Sequence, residues 1–320
     1  MGGGAARLAR PALRLVVPVR HSLLAWVVLA AAAGVALPQG ARVLNPLVPV
    51  FLAGQVLGVA LNLTPGEVRA ALRGTRLIGL ALLVQWTVLP GLGLLLHLVA
   101  PTPLLATGIM ICAASPAEIT SGLMATIAGG DTAVAMACMS GSLALSIVLT
   151  PFWLAVSLGS AVHINASSLA LELVLSVLLP LVVGITLRSR FPAIARWRHL
   201  FLDLSASCLV LVVLAGATSA SGVLTSPAIF GMLPLVAALL AGGGLAGWGF
   251  GRVLRLRRRQ AIAVGFPIGI REFGVAIAVA VVVAPRSAAV GGIYGILMVA
   301  VAGTLASRMS ARVRARPHND

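Results

Sequence analysis

The sequence has no lysine, one tyrosine and only seven acidic residues in 320. Each shortage closes off a class of function. Charged residues make up 9% of the chain and hydrophobic ones 60%, whereas a soluble globular domain carries about 25% charged residues. A core of this size cannot hide so much apolar side chain behind a water-facing surface. Three cysteines, Cys112, Cys138 and Cys208, lie inside apolar runs with no CxxC or metal spacing. That excludes a zinc framework and leaves them as small buried hydrophobes. No phosphate loop, HExxH or GxSxG occurs, and no pair of histidines has ligand spacing. No polar stretch could form an ATPase, so an ion gradient or the substrate's own gradient is left as energy source.

What the chain has in quantity is arginine. All 23 basic residues are arginine and the net charge is +16. Nucleic acid would call for a polar surround and interleaved aromatics. Here the arginines stand in short clusters between apolar runs, as orientation charges do on a membrane protein. All-arginine usage with abundant alanine points to a GC-rich bacterial genome, and so to a bacterial inner membrane.

A spanning helix needs about 20 apolar residues. Ten such runs are expected, at 22–38, 43–62, 76–99, 103–128, 132–159, 166–187, 199–219, 228–251, 260–284 and 288–307. With the N-terminus inside, the inner segments hold Arg7 to Arg20, then Arg69, Arg73 and Arg76, Arg188 to Arg198, Arg252 to Arg259, and Arg308 to Arg316. The outer segments hold Arg42 and Arg286 alone. The positive-inside rule therefore predicts an all-α, multi-pass protein with ten transmembrane helices and both termini cytoplasmic. Residues 1–21 are expected as a cytoplasmic segment before a retained first helix, because PQGARVLN is a poor cleavage site.

Two of the ten runs are interrupted. ASPAEITSGLMATIAGGD, residues 114–131, breaks the fourth, and GFPIGIREFG, residues 265–274, breaks the ninth. These are the fourth helices of two consecutive five-span sets, 22–159 and 166–307, with 308–320 as a cytoplasmic tail. Five is odd, so the second set enters the membrane from the opposite side. That arithmetic predicts an inverted repeat whose discontinuous helices cross at a binding site near the midplane. Pro116, Gly122, Pro267 and Gly269 are the residues expected to make the breaks.

Three ionisable side chains lie deep in these runs: Glu118, Arg271 and Glu272. A charge at the bilayer centre costs roughly 2.5–3.5 kcal/mol on insertion scales, and survives where it is paired, neutralised or wet. Glu118 is expected to meet Arg271 or Glu272 across the crossing, there to bind substrate or couple a cation; a purely structural ion pair is the simpler role. Gln85, Thr120 and Ser121 complete the polar candidates. Ser115, Thr120, Ser121 and Thr126 are expected to serve carbonyls freed by Pro116. Ser140, Ser142 and Ser146 are expected to pack.

At these residues the chain resembles the bile acid:sodium symporter superfamily. GQVLGVALNLTPGEVRAAL (54–72), RLIGLALLVQWTVLPGLGLLL (76–96), SPAEITSGLMATIAGGDTAVA (115–135) followed by LTPF, and GIREFGVAIAVAV near the C-terminus carry the likeness. The resemblance implies ten helices in two inverted repeats. A panel domain (spans one, two, six and seven) would face a core domain (spans three to five and eight to ten). It implies transport of an organic anion, often with sodium, by alternating access. Gln85 stands where the family has a glutamine at its second sodium site, and Ser121 where it has a serine at the first. The other ligands are missing: Gly122 replaces an asparagine, Ala135 and Met139 replace hydroxyls, Pro267 a glutamate and Arg271 a glutamine. The sodium sites are therefore expected to be degraded, with Gln85 and Ser121 as their residual ligands. Arg271 would act as a fixed charge countered by Glu118 or Glu272, and transport would be proton-coupled or uncoupled.

Related arsenite exporters share the REFGVAIAVA pattern, but their helix-four cysteine would fall on Ala117. An intramembrane enzyme would need a nucleophile and base at membrane depth, and no histidine or cysteine stands beside Glu118 in sequence. The expected partners are a small organic anion and the lipid bilayer, with no nucleic acid, no cofactor and no obligate protein partner.

Overall fold

Backbone amides surrounded by hydrocarbon must find partners within the chain, which favours helix. The computed structural model describes residues 23–63, 66, 76–158 and 166–314, and helix dominates them. The expected N-terminal segment 1–21, Arg69, Arg73 and residues 315–320 lie outside that description. The first helices are α1 (Leu23–Ala36), α2 (Pro38–Ala60), α3 (Arg76–Val99), α4 (Pro103–Ala113), α5 (Ser121–Ile127) and α6 (Thr132–Leu158). They are followed by α7 (Ser167–Arg190), α8 (Pro192–Ser219), α9 (Ala228–Val253), α10 (Arg258–Gly269), α11 (Phe273–Val283) and α12 (Ala288–Arg314).

Seven of these helices are long and apolar enough to cross a membrane: α2, α3, α6, α7, α8, α9 and α12 with the turn before it. Leu98, Val148 and Phe230 on three of them are 68–73% exposed, a surface that only lipid covers at no cost. The protein is a multi-pass membrane protein. Shorter apolar helices are α1, α4 and α11.

The fourth and ninth expected runs are each two helices with a gap between. Thr102 caps the start of α4 by accepting from Leu105 N, with Pro103 in the first turn. The helix stops at Ala113, shortly before Pro116, whose ring pushes the preceding residue toward extended backbone. Gly129, at φ 86°, follows α5 in the left-handed conformation that glycine adopts freely. Glu272 caps α11 by accepting from Gly274 N. Pro267 does not sit at the second break. It lies inside α10, and the chain leaves the helix only after Gly269.

Prolines inside long helices free carbonyls that must be answered elsewhere. Pro90 in α3 cannot donate to Trp86 O, and Trp153 Nε1 of α6 donates there instead at 2.9 Å.

Helix packing is set by glycine. A Cβ on Gly58 of α2 would strike Phe201 O of α8, and one on Gly34 of α1 would strike Leu214 O. In α9, Gly243 and Gly247 lie against the carbonyls of Gly269 and Gly265 in α10. α8 packs on α1 and α2, and α7 packs on α2, while α9 packs on α10 and α12.

Candidate functional site

The two gaps meet. Residues 114–120 and 270–272 run antiparallel, and Ala117 and Arg271 form a single β-bridge. Glu118 N donates to Ile270 O at 3.1 Å, and Glu272 N donates to Pro116 O at 2.9 Å. Unwound backbone in a lipid interior is tolerable only when such groups are paired inside the protein. Each break thus supplies what the other lacks.

Four helix ends face this crossing: the C-termini of α4 and α10 and the N-termini of α5 and α11. Helix N-termini carry partial positive charge and unsatisfied N–H groups; C-termini carry the reverse. The side chains sort accordingly. Glu272 Oε1 accepts from Gly274 N of α11 at 3.0 Å, and its Oε2 accepts from Ile119 N, at the entry to α5, at 2.8 Å. One carboxylate therefore bridges the starts of two half-helices. Glu118 Oε1 accepts from Thr120 N at 3.3 Å and from Thr120 Oγ1 at 3.2 Å. Its Oε2 is buried with no hydrogen-bond partner.

Arg271 turns the other way. Its Nη1 donates to Ser115 O, just beyond α4, at 2.9 Å, and its Nη2 donates to Gln85 O of α3. Its backbone N–H donates to Tyr294 Oη at 2.9 Å, and its guanidinium lies 5.9 Å from the Trp86 ring centroid. The side chain is fully buried. It forms no ion pair with Glu118 or Glu272: the guanidinium is answered by main-chain carbonyls. Arginine's fork can serve two acceptors at once, and the carbonyl ends of helices are the acceptors within reach.

The expected site residues gather here, with different roles. Glu118, Glu272, Arg271 and Thr120 form the crossing itself. Gln85 is brought in through its carbonyl, while its side-chain Nε2 is buried and unpartnered. Ser121 opens α5 with its Oγ buried and without a partner. Gly122 lies where a Cβ would strike Met136 Sδ of α6. Pro116 contributes its carbonyl. Gly269 ends α10 against α9. Ser115 Oγ and Thr126 Oγ1 each donate one turn back along the helix, to Ile111 O and Gly122 O.

Four residues join the site that sequence reading did not place there. Gln55 of α2 donates its Nε2 to Glu272 Oε1 at 3.0 Å, the polar contact that α2 makes with the crossing. Its Oε1 is buried and unpartnered. Tyr294 of α12 receives the Arg271 N–H. Ser142 Oγ accepts from Ala117 N at 2.8 Å, and Thr150 Oγ1 donates to Ala114 O at 2.7 Å, so α6 holds the first break at its start and its middle. The signal for Gln55 was available: an amide in the apolar run GQVLGVALNL. Among the described residues no cluster of three or more histidine, cysteine and acidic side chains could hold a metal ion.

The model of the SBF-like CPA transporter family matches residues 21–311. The chain is 24% identical over 297 residues to YocS of Bacillus subtilis (strain 168), named as an uncharacterized sodium-dependent transporter, which covers 90% of this chain and 91% of that one. It is 30% identical over 172 residues to BASS2 of Oryza sativa subsp. japonica, named as a probable chloroplastic sodium/metabolite cotransporter. A likeness of 32% over 160 residues links it to BASS4 of Arabidopsis thaliana, with the same kind of name. These two matches cover 52% and 48% of this chain, but only 40% and 37% of the plant proteins. The family match takes in both breaks and all but the last residues of α12, so the chain belongs to the SBF-like CPA transporter family, within the bile acid:sodium symporter superfamily, and is a membrane transporter rather than an enzyme.

Proposed function

We propose that the protein carries a small organic anion across the membrane by alternating access, and that the crossing is the element about which its conformations exchange. One observation carries this reading. Two broken helices cross with their four free ends turned on one buried polar cluster, the arrangement in which half-helix ends meet a substrate or coupling ion. In this reading the seven long helices, α1 and the two broken pairs make ten crossings in two inverted five-helix repeats. Helices α1, α2, α7 and α8 form the panel, and the rest form the core. Both termini lie in the cytoplasm of a bacterial cell, and the membrane is the inner one. The Gln55–Glu272 hydrogen bond ties panel to core, and it must break or be replaced when one moves against the other.

The coupling ion divides two readings. The names of the relatives include sodium, which favours a sodium symporter. The residues favour another answer. Sodium is a hard ion that needs several oxygen ligands, and the Arg271 guanidinium stands beside Gln85, where it would repel a cation. We therefore read Arg271 as a built-in positive charge in place of the second sodium. The unpartnered Oε2 of Glu118, close to a second carboxylate, is the natural site for a proton.

Uptake into proteoliposomes under a sodium gradient, a proton gradient, or neither separates these readings. The protein's melting temperature against sodium, with choline replacing it at constant ionic strength, supplies an independent binding measurement. A ligand at 100 times its dissociation constant stabilises by about 2.7 kcal/mol. A flat melting curve with proton-driven uptake is expected. A saturable rise with sodium-driven uptake would overturn the built-in charge and leave the symporter reading standing.

A further inference from the structure

A separate cavity of about 600 Å3 opens between α9, α10 and α12. Ligand sites span roughly 300–1,000 Å3. None of its lining comes from α1, α2, α7 or α8, so it is not the surface between panel and core. One end lies near Gly269 and Ile270, beside the second break, and the walls are apolar. The other end carries Arg252, Arg255 and Arg258, all exposed.

Three features of that end bear on its occupant. Five arginines fall within residues 252–259, and no acidic residue lies between Asp203 and Glu272. Asp131 approaches through its own N–H, which donates to Arg259 O, but its carboxylate accepts from Val134 N at the start of α6. The Arg252 guanidinium sits 4.8 Å from the ring centroid of Trp248, which is 61% exposed. A lipid-facing tryptophan marks the headgroup level of a bilayer, and a cation one turn further on lies at phosphate depth. Arg255 holds φ at 48°, the left-handed position after a helix that normally selects glycine. The chain bears that backbone cost and places a cation at the mouth.

The long wall of the crevice is made of small residues. Gly247 lies against Gly265 O in its floor, and a Cβ on Gly244 would meet nothing within 4 Å. The opening is bordered by Trp248, Val301 and Leu305, each at least half exposed on the surface that faces lipid.

We propose that this crevice holds one anionic phospholipid, with an acyl chain along the glycine face of α9 and its phosphodiester among Arg252, Arg255 and Arg258. The apolar trough excludes a free soluble anion as the natural occupant, and the positive charge, which no carboxylate among the described residues opposes, selects against a zwitterionic lipid. Basic pockets between membrane helices recognise anionic headgroups in this way. A lipid wedged beside α10 touches the helix that ends at the crossing, so its occupancy bears on how that half-helix moves. This inference does not depend on which ion drives transport.

The test uses the full chain in detergent stripped of lipid. Dioleoylphosphatidylglycerol, dioleoylphosphatidylcholine and glycerol 3-phosphate are added separately, and thermal melting and native mass spectra are recorded. The glycerol lipid should raise the melting temperature saturably and give a one-to-one adduct; the choline lipid and the free phosphate should do neither. Each arginine near a bilayer surface contributes roughly a fivefold gain in affinity. The combined Arg252→Gln, Arg255→Gln, Arg258→Gln variant should therefore bind about a hundredfold more weakly. Gly244→Phe fills the trough from an open position. It should abolish the adduct while leaving the lipid-free melting temperature unchanged, and it decides the matter alone if the triple variant cannot be purified. Equal stabilisation by the choline lipid, stabilisation by glycerol 3-phosphate, or an undiminished adduct in Gly244→Phe would overturn the proposal.

Discussion

The two breaks differ in what they bring to the crossing. The first, residues 114–120, is long and brings mostly main chain, with Glu118 as its single ionisable side chain. Its groups are served from outside: Ala114 O by Thr150, Ser115 O by Arg271, Ala117 N by Ser142 and Ile119 N by Glu272. The second, residues 270–272, is short and brings charge. Its three residues supply one carbonyl, two N–H groups, a guanidinium and a carboxylate. The lesson is that ionised side chains at membrane depth need not neutralise one another. Arg271 is matched to carbonyl oxygens and Glu272 to N–H groups, so the ends of the broken helices act as their counter-charges.

That contrast predicts an order of damage. Orphaned buried N–H groups are rarer in proteins than under-satisfied carbonyls, which have a second lone pair. Removing the anion should therefore cost more than removing the cation. Glu272→Ala leaves Ile119 N, Gly274 N and Gln55 Nε2 without an acceptor. At about 1–3 kcal/mol for each orphaned group, a loss of about 4 kcal/mol or more is expected, read as a collapse of the melting temperature or of monodisperse yield. Arg271→Leu leaves two carbonyls and should cost about 2–3 kcal/mol by the same measurement. If Arg271→Leu proves the more damaging, the guanidinium is balancing the carboxylates after all.

The smaller effects repeat the comparison on α6. Ser142→Ala orphans the Ala117 N–H and should destabilise by about 1–2 kcal/mol. Thr150→Val removes a donor to Ala114 O and should cost about 0.5–1.5 kcal/mol. Both can be followed by thermal melting of the purified variants. Least of all in stability is Gln55→Leu, at about 0.5 kcal/mol. Its signature should instead be a changed transport rate with the melting temperature nearly kept, because it cuts the bond between α2 and the crossing.

Much of the fold could be read from the letters. A helix lies in each expected apolar run, or a pair of short helices in the fourth and ninth, but the chain does not turn where expected at PQG, which lies within α2, or at PAIARW, which lies within α8. The break in the fourth run was legible because Pro116 and a carboxylate stand in an otherwise apolar stretch. The second break fell a few residues beyond Pro267, since a proline late in a helix costs one hydrogen bond and need not end it. The site was less legible. Gln55 and Glu272 are 217 positions apart, and nothing local to either names the other. Ser142 looks like a packing residue in sequence because the N–H it serves belongs to the first break, 25 positions away. Arg271 was paired with the glutamates because unlike charges are visible in a sequence. Carbonyl oxygens are the same at every position, and only the fold shows which of them are left free.

The glycine contacts between α9 and α10 have a mechanical meaning. Two helices that touch through side chains can slide a little, because the side chains change rotamer and take up the slack. At Gly243 and Gly247 there is no such cushion, since the backbones themselves are in contact. The pair behaves as one beam rather than two rods. Any tilt of α10 is then also a tilt of α9.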